Sequence, residues 1–216
     1  MSIINSDNIS NDSQLRTKFC LIGSGIVGSI LAQELSQKYN DILILESGDL
    51  DFDNSNQDLY NIKNVGYPQR DNFLNRLRYF GGTSNIWGGR MMPLTKIDFK
   101  KRDWVSNSGW PIGYDEVSSF YGRAQKRLNL PESFNLDPES WKKYCTNEEL
   151  SFFESKTLCP IISMWGKKPI SFGKNSKFYN DTMSSDRIRV LLNGNANKIN
   201  LNNSFNFVEN VLVKTL

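Results

Sequence analysis

The 216-residue sequence contains no histidine. That removes both the commonest general base and the commonest metal ligand. Cysteine is scarce: Cys20, Cys145 and Cys159 form no CxxC pair. From this odd, sparse set a reducing compartment, the cytoplasm, is expected. No apolar run approaches the roughly 20 residues of a membrane-spanning helix. Residues 1–16 lack the basic-then-apolar order of a signal peptide and are expected to form a disordered polar tail. The net charge of +3 is small. Its densest basic spots, Lys100-Lys101-Arg102 and Lys167-Lys168, build neither an arm nor a basic-aromatic pattern, so nucleic acid is not an expected partner.

What is present centres on residues 17–46, TKFCLIGSGIVGSILAQELSQKYNDILILE. A short apolar strand (19–22), with Cys20 expected inside it, runs into Gly23-Ser24-Gly25-Ile26-Val27-Gly28. A helix follows, and then a second strand (42–45) that ends on Glu46. Gly23 permits the tight turn, Gly25 lets backbone approach a pyrophosphate, and Gly28 lets helix and strand pack closely. The helix N-terminus offers free N–H groups and a positive dipole end to phosphates. Glu46 can accept hydrogen bonds from both ribose hydroxyls, which disfavours NADP. The strand–turn–helix–strand context predicts adenine-dinucleotide binding and leaves FAD and NAD both open.

Residues 47–72 read as an acidic, loop-like connector. Further on, Gly81-Gly82-Thr83-Ser84-Asn85-Ile86-Trp87-Gly88-Gly89-Arg90 places four glycines in nine residues, too many for a regular helix or strand. Its apolar residues (Ile86, Trp87, Met91, Met92) favour a buried, ligand-facing loop over a solvated one. The stripe Val117, Phe120, Tyr121, Ala124 and Leu128 predicts one helix over 114–128 with a buried face, and 141–153 is a second helix candidate. Ile161, Ile162, Trp165 and Phe172 are expected in a small core. Arg187–Leu192, Ala196–Leu201 and Phe205–Val213 predict a β-meander. On this reading no strand is left to extend the parallel sheet beyond its first two.

Four pieces of sequence together resemble the N-terminal part of the glucose-methanol-choline (GMC) family of FAD-dependent oxidoreductases. They are GSGIVG with Glu46, the loop GGTSNIWGG, the phrase GWPIGYDEVSSFY and the closing VLLNGNANKI. They span residues 17–213 in the family's order, on the branch of sugar oxidases and gluconate-type dehydrogenases. The resemblance moves the reading from NAD to FAD. It implies an α/β fold: a Rossmann-like FAD-binding βαβ domain with a β-meander, plus part of a substrate or cap region. The FAD-binding domain would hold residues 17–100 and 186–216, and the partial cap 101–185.

Carried over by residue, the resemblance implies that Gly23, Gly25 and Gly28 cradle the pyrophosphate and Glu46 binds the adenosine ribose. Gly82, Thr83, Ser84 and Asn85 would run along pyrophosphate and flavin, with Trp87 and Gly88 near the isoalloxazine and Ala196 beside adenine. Ile86 stands where some relatives carry the histidine that attaches FAD, so FAD would be non-covalent. The family's catalytic histidine lies in a C-terminal half that this chain is expected to lack. Three functions follow: an alcohol- or sugar-oxidising flavoenzyme represented by its FAD-binding part, with a second chain possible as the source of the catalytic half; a truncated, catalytically silent FAD binder; or an NAD-binding dehydrogenase fragment, against which GGTSNIWGG argues.

Overall fold

The computed structural model describes residues 3–68, 75–130, 163–165 and 170–216. The expected helix at 141–153, Cys145, Cys159, Ile161, Ile162 and Lys167-Lys168 lie outside these residues. The chain divides into two units, residues 1–87 with 171–216, and residues 88–170.

The first unit is built on a four-stranded parallel sheet. In chain order its strands are β1 (Ile3–Asn5), β2 (Phe19–Ile22), β3 (Ile42–Leu45) and β6 (Ile188–Leu192), and in space they run β1-β6-β3-β2. Helix α1 (Ile26–Ser36) makes the crossover from β2 to β3, the connection that a parallel pair requires. The run Ile42-Leu43-Ile44-Leu45 is buried at every position, as expected of a parallel strand covered on both faces. Alternate side chains serve different cores. Ile42 and Ile44 join Ala32, Phe80, Ile188 and Val190 on the α1 side, whereas Leu43 and Leu45 join Leu191 on the other. Each such aliphatic side chain stabilises the fold by about 1.5–3 kcal/mol. A short helix (Lys177–Met183) packs on α1 and leads into β6. Phe172, buried as expected, stacks on Phe178 of that helix with ring centroids 3.9 Å apart.

Three expectations are corrected here. Ile3–Asn5 are not a disordered tail: they pair in parallel with Val190–Leu192, because the open edge of β6 offers unpaired backbone groups to a short apolar segment. The residues from 187 onward are not a three-strand meander. Strand β6 pairs in parallel with β1 and β3, and only β7 (Asn195–Leu201) and β8 (Val208–Lys214) pair antiparallel. The sheet therefore gains two strands beyond β2 and β3. The reason lies at Asn193, whose positive φ of 57° turns the chain out of the sheet. Ala196, Val211 and Val213 of the hairpin then cover Leu43, Leu45 and Leu191. Finally, Cys20 is exposed, since β2 is the other edge of the sheet.

The second unit, by itself, contains β4 (Arg90–Met91) paired with β5 (Met164–Trp165), and three short helices, Lys96–Phe99, Tyr114–Ser118 and Tyr121–Arg127. The single helix expected over 114–128 is thus two. Phe120, at φ −95° and ψ −10°, interrupts it and is itself exposed, so the apolar stripe does not form a buried face. Packing rests instead on buried Phe99, which Trp110 and Tyr114 contact ring to ring.

Asp41, at the entry to β3, accepts from the Lys18 N–H at 2.8 Å and pairs with Arg189 at 2.7 Å. Partial desolvation would raise its pKa, but the Lys18 N–H, the Arg189 guanidinium and a Thr17 hydrogen bond outweigh it and hold the carboxyl below its ordinary value. A depressed carboxyl stabilises the fold above its unfolded pKa of about 3.9, and that stability disappears as pH falls through the folded pKa. Thermal melts should therefore show a lower Tm at pH 3 than at pH 6. Asp41→Asn should narrow that difference only slightly, since the pair is half exposed and screened. A pH 3 to pH 6 difference that is no smaller in Asp41→Asn than in the parent would contradict the assignment.

Candidate functional site

The glycine turn after β2 is fixed by backbone chemistry. Gly23 takes φ +94° and donates its N–H to the Leu45 carbonyl at 2.7 Å. Gly25 caps α1 with extended backbone. A Cβ added to Gly28 would sit 1.9 Å from the Gly23 carbonyl oxygen, so only glycine lets α1 approach the turn this closely. At Gly25 an added Cβ would meet nothing within 4 Å. One glycine therefore serves the fold, and the other leaves open space above the first turn of α1.

The second glycine segment folds as a 3-10 turn over Gly82–Asn85. Its start is locked to the first: the Gly81 N–H donates to Ser24 Oγ at 2.9 Å. A Cβ on Gly82 would come 3.9 Å from Gly25 Cα, so two bare stretches of backbone lie side by side. Ser84 is buried, donating to the Gly81 carbonyl at 2.7 Å and accepting the Phe172 N–H at 3.0 Å. Asn85 closes its own loop by donating to the Phe80 and Gly82 carbonyls, and accepts from Ser171. Thr83 Oγ1 accepts the Leu77 N–H at 3.3 Å. The side chains of Thr83, Ser84 and Asn85 thus brace the segment from within. Trp87 is half-buried, while Ile86 and Gly88 are exposed. Gly88 opens the second unit and is not gathered with the others.

Glu46, at the tip of β3, is buried. Its backbone is pinned by β6 and the turn after it, through Glu46 N–H to the Leu191 carbonyl at 2.8 Å and Gly194 N–H to the Glu46 carbonyl at 3.0 Å. The carboxylate accepts from Ser24 N–H (3.0 Å) and Ser24 Oγ (2.5 Å) on one oxygen, and from Gly48 N–H (3.0 Å) and Ser47 Oγ (3.3 Å) on the other. Ala196 lies at the start of β7, half-buried against the Leu43, Leu45 and Leu191 core.

Gly23, Gly25, Gly28, Glu46 and the segment 81–85 meet at the C-terminal end of the parallel strands, where open α/β sheets bind ligands. This set does not include Trp87, Gly88 or Ala196. The open face over Gly25, the adjoining Gly82 backbone and the α1 N-terminus leave accessible backbone that could hold an anionic group, with the Glu46 carboxylate hydrogen-bonded to the same turn through Ser24. A separate concavity of about 500 Å³ is lined by Asp7, Asp49, Asp51 and Asp53. Its carboxylates would repel phosphate. Among the described residues no group of three or more His, Cys, Asp and Glu is placed to hold a metal, and no helix is long and apolar enough to cross a membrane.

Four contributors have no role at this site in the sequence reading, Phe172 being expected only in a small core. Ser24 lies between two glycines and reads as a spacer. Ser171 and Phe172 lie far away in sequence. Gln57, in the stretch read as loop, sits in a short helix (Asn54–Asp58) capped by Asp53. Buried, it donates to the Arg76 carbonyl and accepts the Arg78 N–H, fixing the approach to the second glycine segment. Asp53 three residues before Asn56 is the signal for that helix.

Compared with known proteins, the chain matches no family model and no curated sequence.

Proposed function

We propose that this chain is the FAD-binding part of an oxidoreductase of GMC type, acting on the CH–OH group of an alcohol or sugar in the cytoplasm. The observation that carries the reading is the contact between the two glycine segments, made by the Ser24 hydroxyl and the Gly81 N–H at 2.9 Å. A dinucleotide site of the simple NAD kind needs only the first segment; the second, laid against it, suits a longer ligand with a flavin beyond its pyrophosphate. Gly23, Gly25 and Gly28 would shape the pyrophosphate cradle, Glu46 would accept from ribose, and Gly82 backbone would line the far side. FAD, held non-covalently because Ile86 offers no attachment chemistry, would supply the hydride acceptor.

Proton removal from the alcohol needs a base of suitable pKa, and this sequence has no histidine. That observation favours a second reading, a segment that binds FAD without turning over, unless residues outside this sequence supply the base. The purified chain with FAD and a dye acceptor is expected to show no enzyme-like steady-state reduction with glucose, gluconate or choline. Sustained dye reduction by the chain alone would refute the silent reading and require a base among these residues.

A further inference from the structure

A carboxylate offers about four lone-pair positions, and Glu46 has four donors on it already, two per oxygen. If Glu46 is to receive a ribose, one donor must leave. The four are not equivalent. Ser24 is fully buried, and its hydroxyl both donates to Glu46 at 2.5 Å and accepts the Gly81 N–H at 2.9 Å. Its carbonyl accepts from buried Ser29 at 2.7 Å. The Gly48 N–H belongs to the backbone. The Ser47 hydroxyl makes the longest of the four contacts, 3.3 Å, from a half-buried side chain.

We infer that the two serines divide Glu46 between them. Ser24 is a positioning residue whose hydroxyl holds one carboxylate oxygen and the second glycine segment together. Ser47 is a displaceable donor that occupies the place of a ribose hydroxyl until the cofactor arrives. The inference rests on the proposed dinucleotide site and goes beyond it by giving two chemically identical groups on one carboxylate different roles, one required for binding and one dispensable. Loss of the Ser24 hydroxyl leaves Glu46 and the buried Gly81 N–H each short of a partner, an effect that mutational data place at about a factor of ten or more. Loss of the Ser47 hydroxyl removes a competitor.

Full-length Ser24→Ala, Ser24→Cys and Ser47→Ala chains test this through two readouts: FAD dissociation constants from flavin fluorescence, and hydrogen exchange at the Gly81 amide without cofactor. The near-isosteric cysteine keeps the buried volume should alanine compromise folding. Both Ser24 variants are expected to bind FAD about tenfold more weakly or worse and to exchange Gly81 faster. Ser47→Ala is expected to bind as well as the parent or up to about threefold tighter, with Gly81 exchange unchanged. Equal weakening by Ser24 and Ser47 variants, or unchanged exchange in both Ser24 variants, would overturn the inference. Failure of the parent to bind FAD would instead remove the dinucleotide site, and with it the Ser47 exchange, while the Gly81 exchange rates would still decide the Ser24 link.

Discussion

Replacing Gly28 by alanine is expected to destabilise the first unit by about 2–4 kcal/mol, a loss of roughly 5–15 °C in Tm for a chain of this size. The cause is one atom. The added Cβ would lie 1.9 Å from the Gly23 carbonyl oxygen and 3.1 Å from its carbon. Both are backbone of the turn, so no side chain can swing aside. Relief requires α1 to lift from the end of β2, which loosens Ala32 from the core it shares with Ile42 and Ile44. The intrinsic helix preference of alanine over glycine, about 1 kcal/mol, acts in the opposite direction and is smaller. A thermal melt followed by circular dichroism measures the balance. A Tm equal to the parent's or higher would show that α1 is not seated as described.

Gly25→Val is expected to do the reverse, sparing the fold and abolishing the site. Gly25 has φ −62°, an ordinary value for any L residue, and its Cβ direction is empty to 4 Å. The fold should lose about 1 kcal/mol or less, because valine is a poorer N-cap than glycine. The isopropyl group would stand in the open space above the α1 N-terminus, where the proposed pyrophosphate lies against backbone. FAD affinity should fall by on the order of a hundredfold, the equivalent of roughly 3 kcal/mol of overpacking. Comparing Kd and Tm of the same preparation separates the two effects. Retained affinity with an unchanged Tm would remove Gly25 from the binding face, and a collapsed Tm would place it in the fold with Gly28.

The pair shows what a sequence discloses at such a site. GSGIVG with Glu46 carries its strand, turn, helix and second strand in local pattern, since each residue's role depends on neighbours a few positions away. Those elements stand in the structure where the pattern puts them. Which glycine serves packing and which leaves space is also legible, because the spacing within the turn sets both. Long-range partners were not legible. Ile3–Asn5 read as polar tail because three residues carry no periodicity, and only the edge of β6 makes them a strand. Residues 188–192 read as the first strand of a meander because Asn and Gly follow them. The parallel pairing with β3 spans more than 140 residues of chain, and nothing local encodes it. Ser24 escaped notice for the same reason. Its partners, Glu46 and Gly81, come from two distant segments, and a serine among glycines has no local signature. The stripe at 114–128 failed differently: its period suited one buried helix face, but Phe120 breaks the helix and the face is only partly covered, with Phe120 and Ala124 exposed.

The account stands on the two glycine segments forming one cofactor site. The visible absorbance spectrum of the purified chain, recorded after incubation with FAD and desalting, tests it most directly. A retained flavin spectrum with near-stoichiometric FAD is the predicted result. A colourless protein that melts cooperatively would contradict it, showing a folded chain whose glycine segments meet without holding FAD.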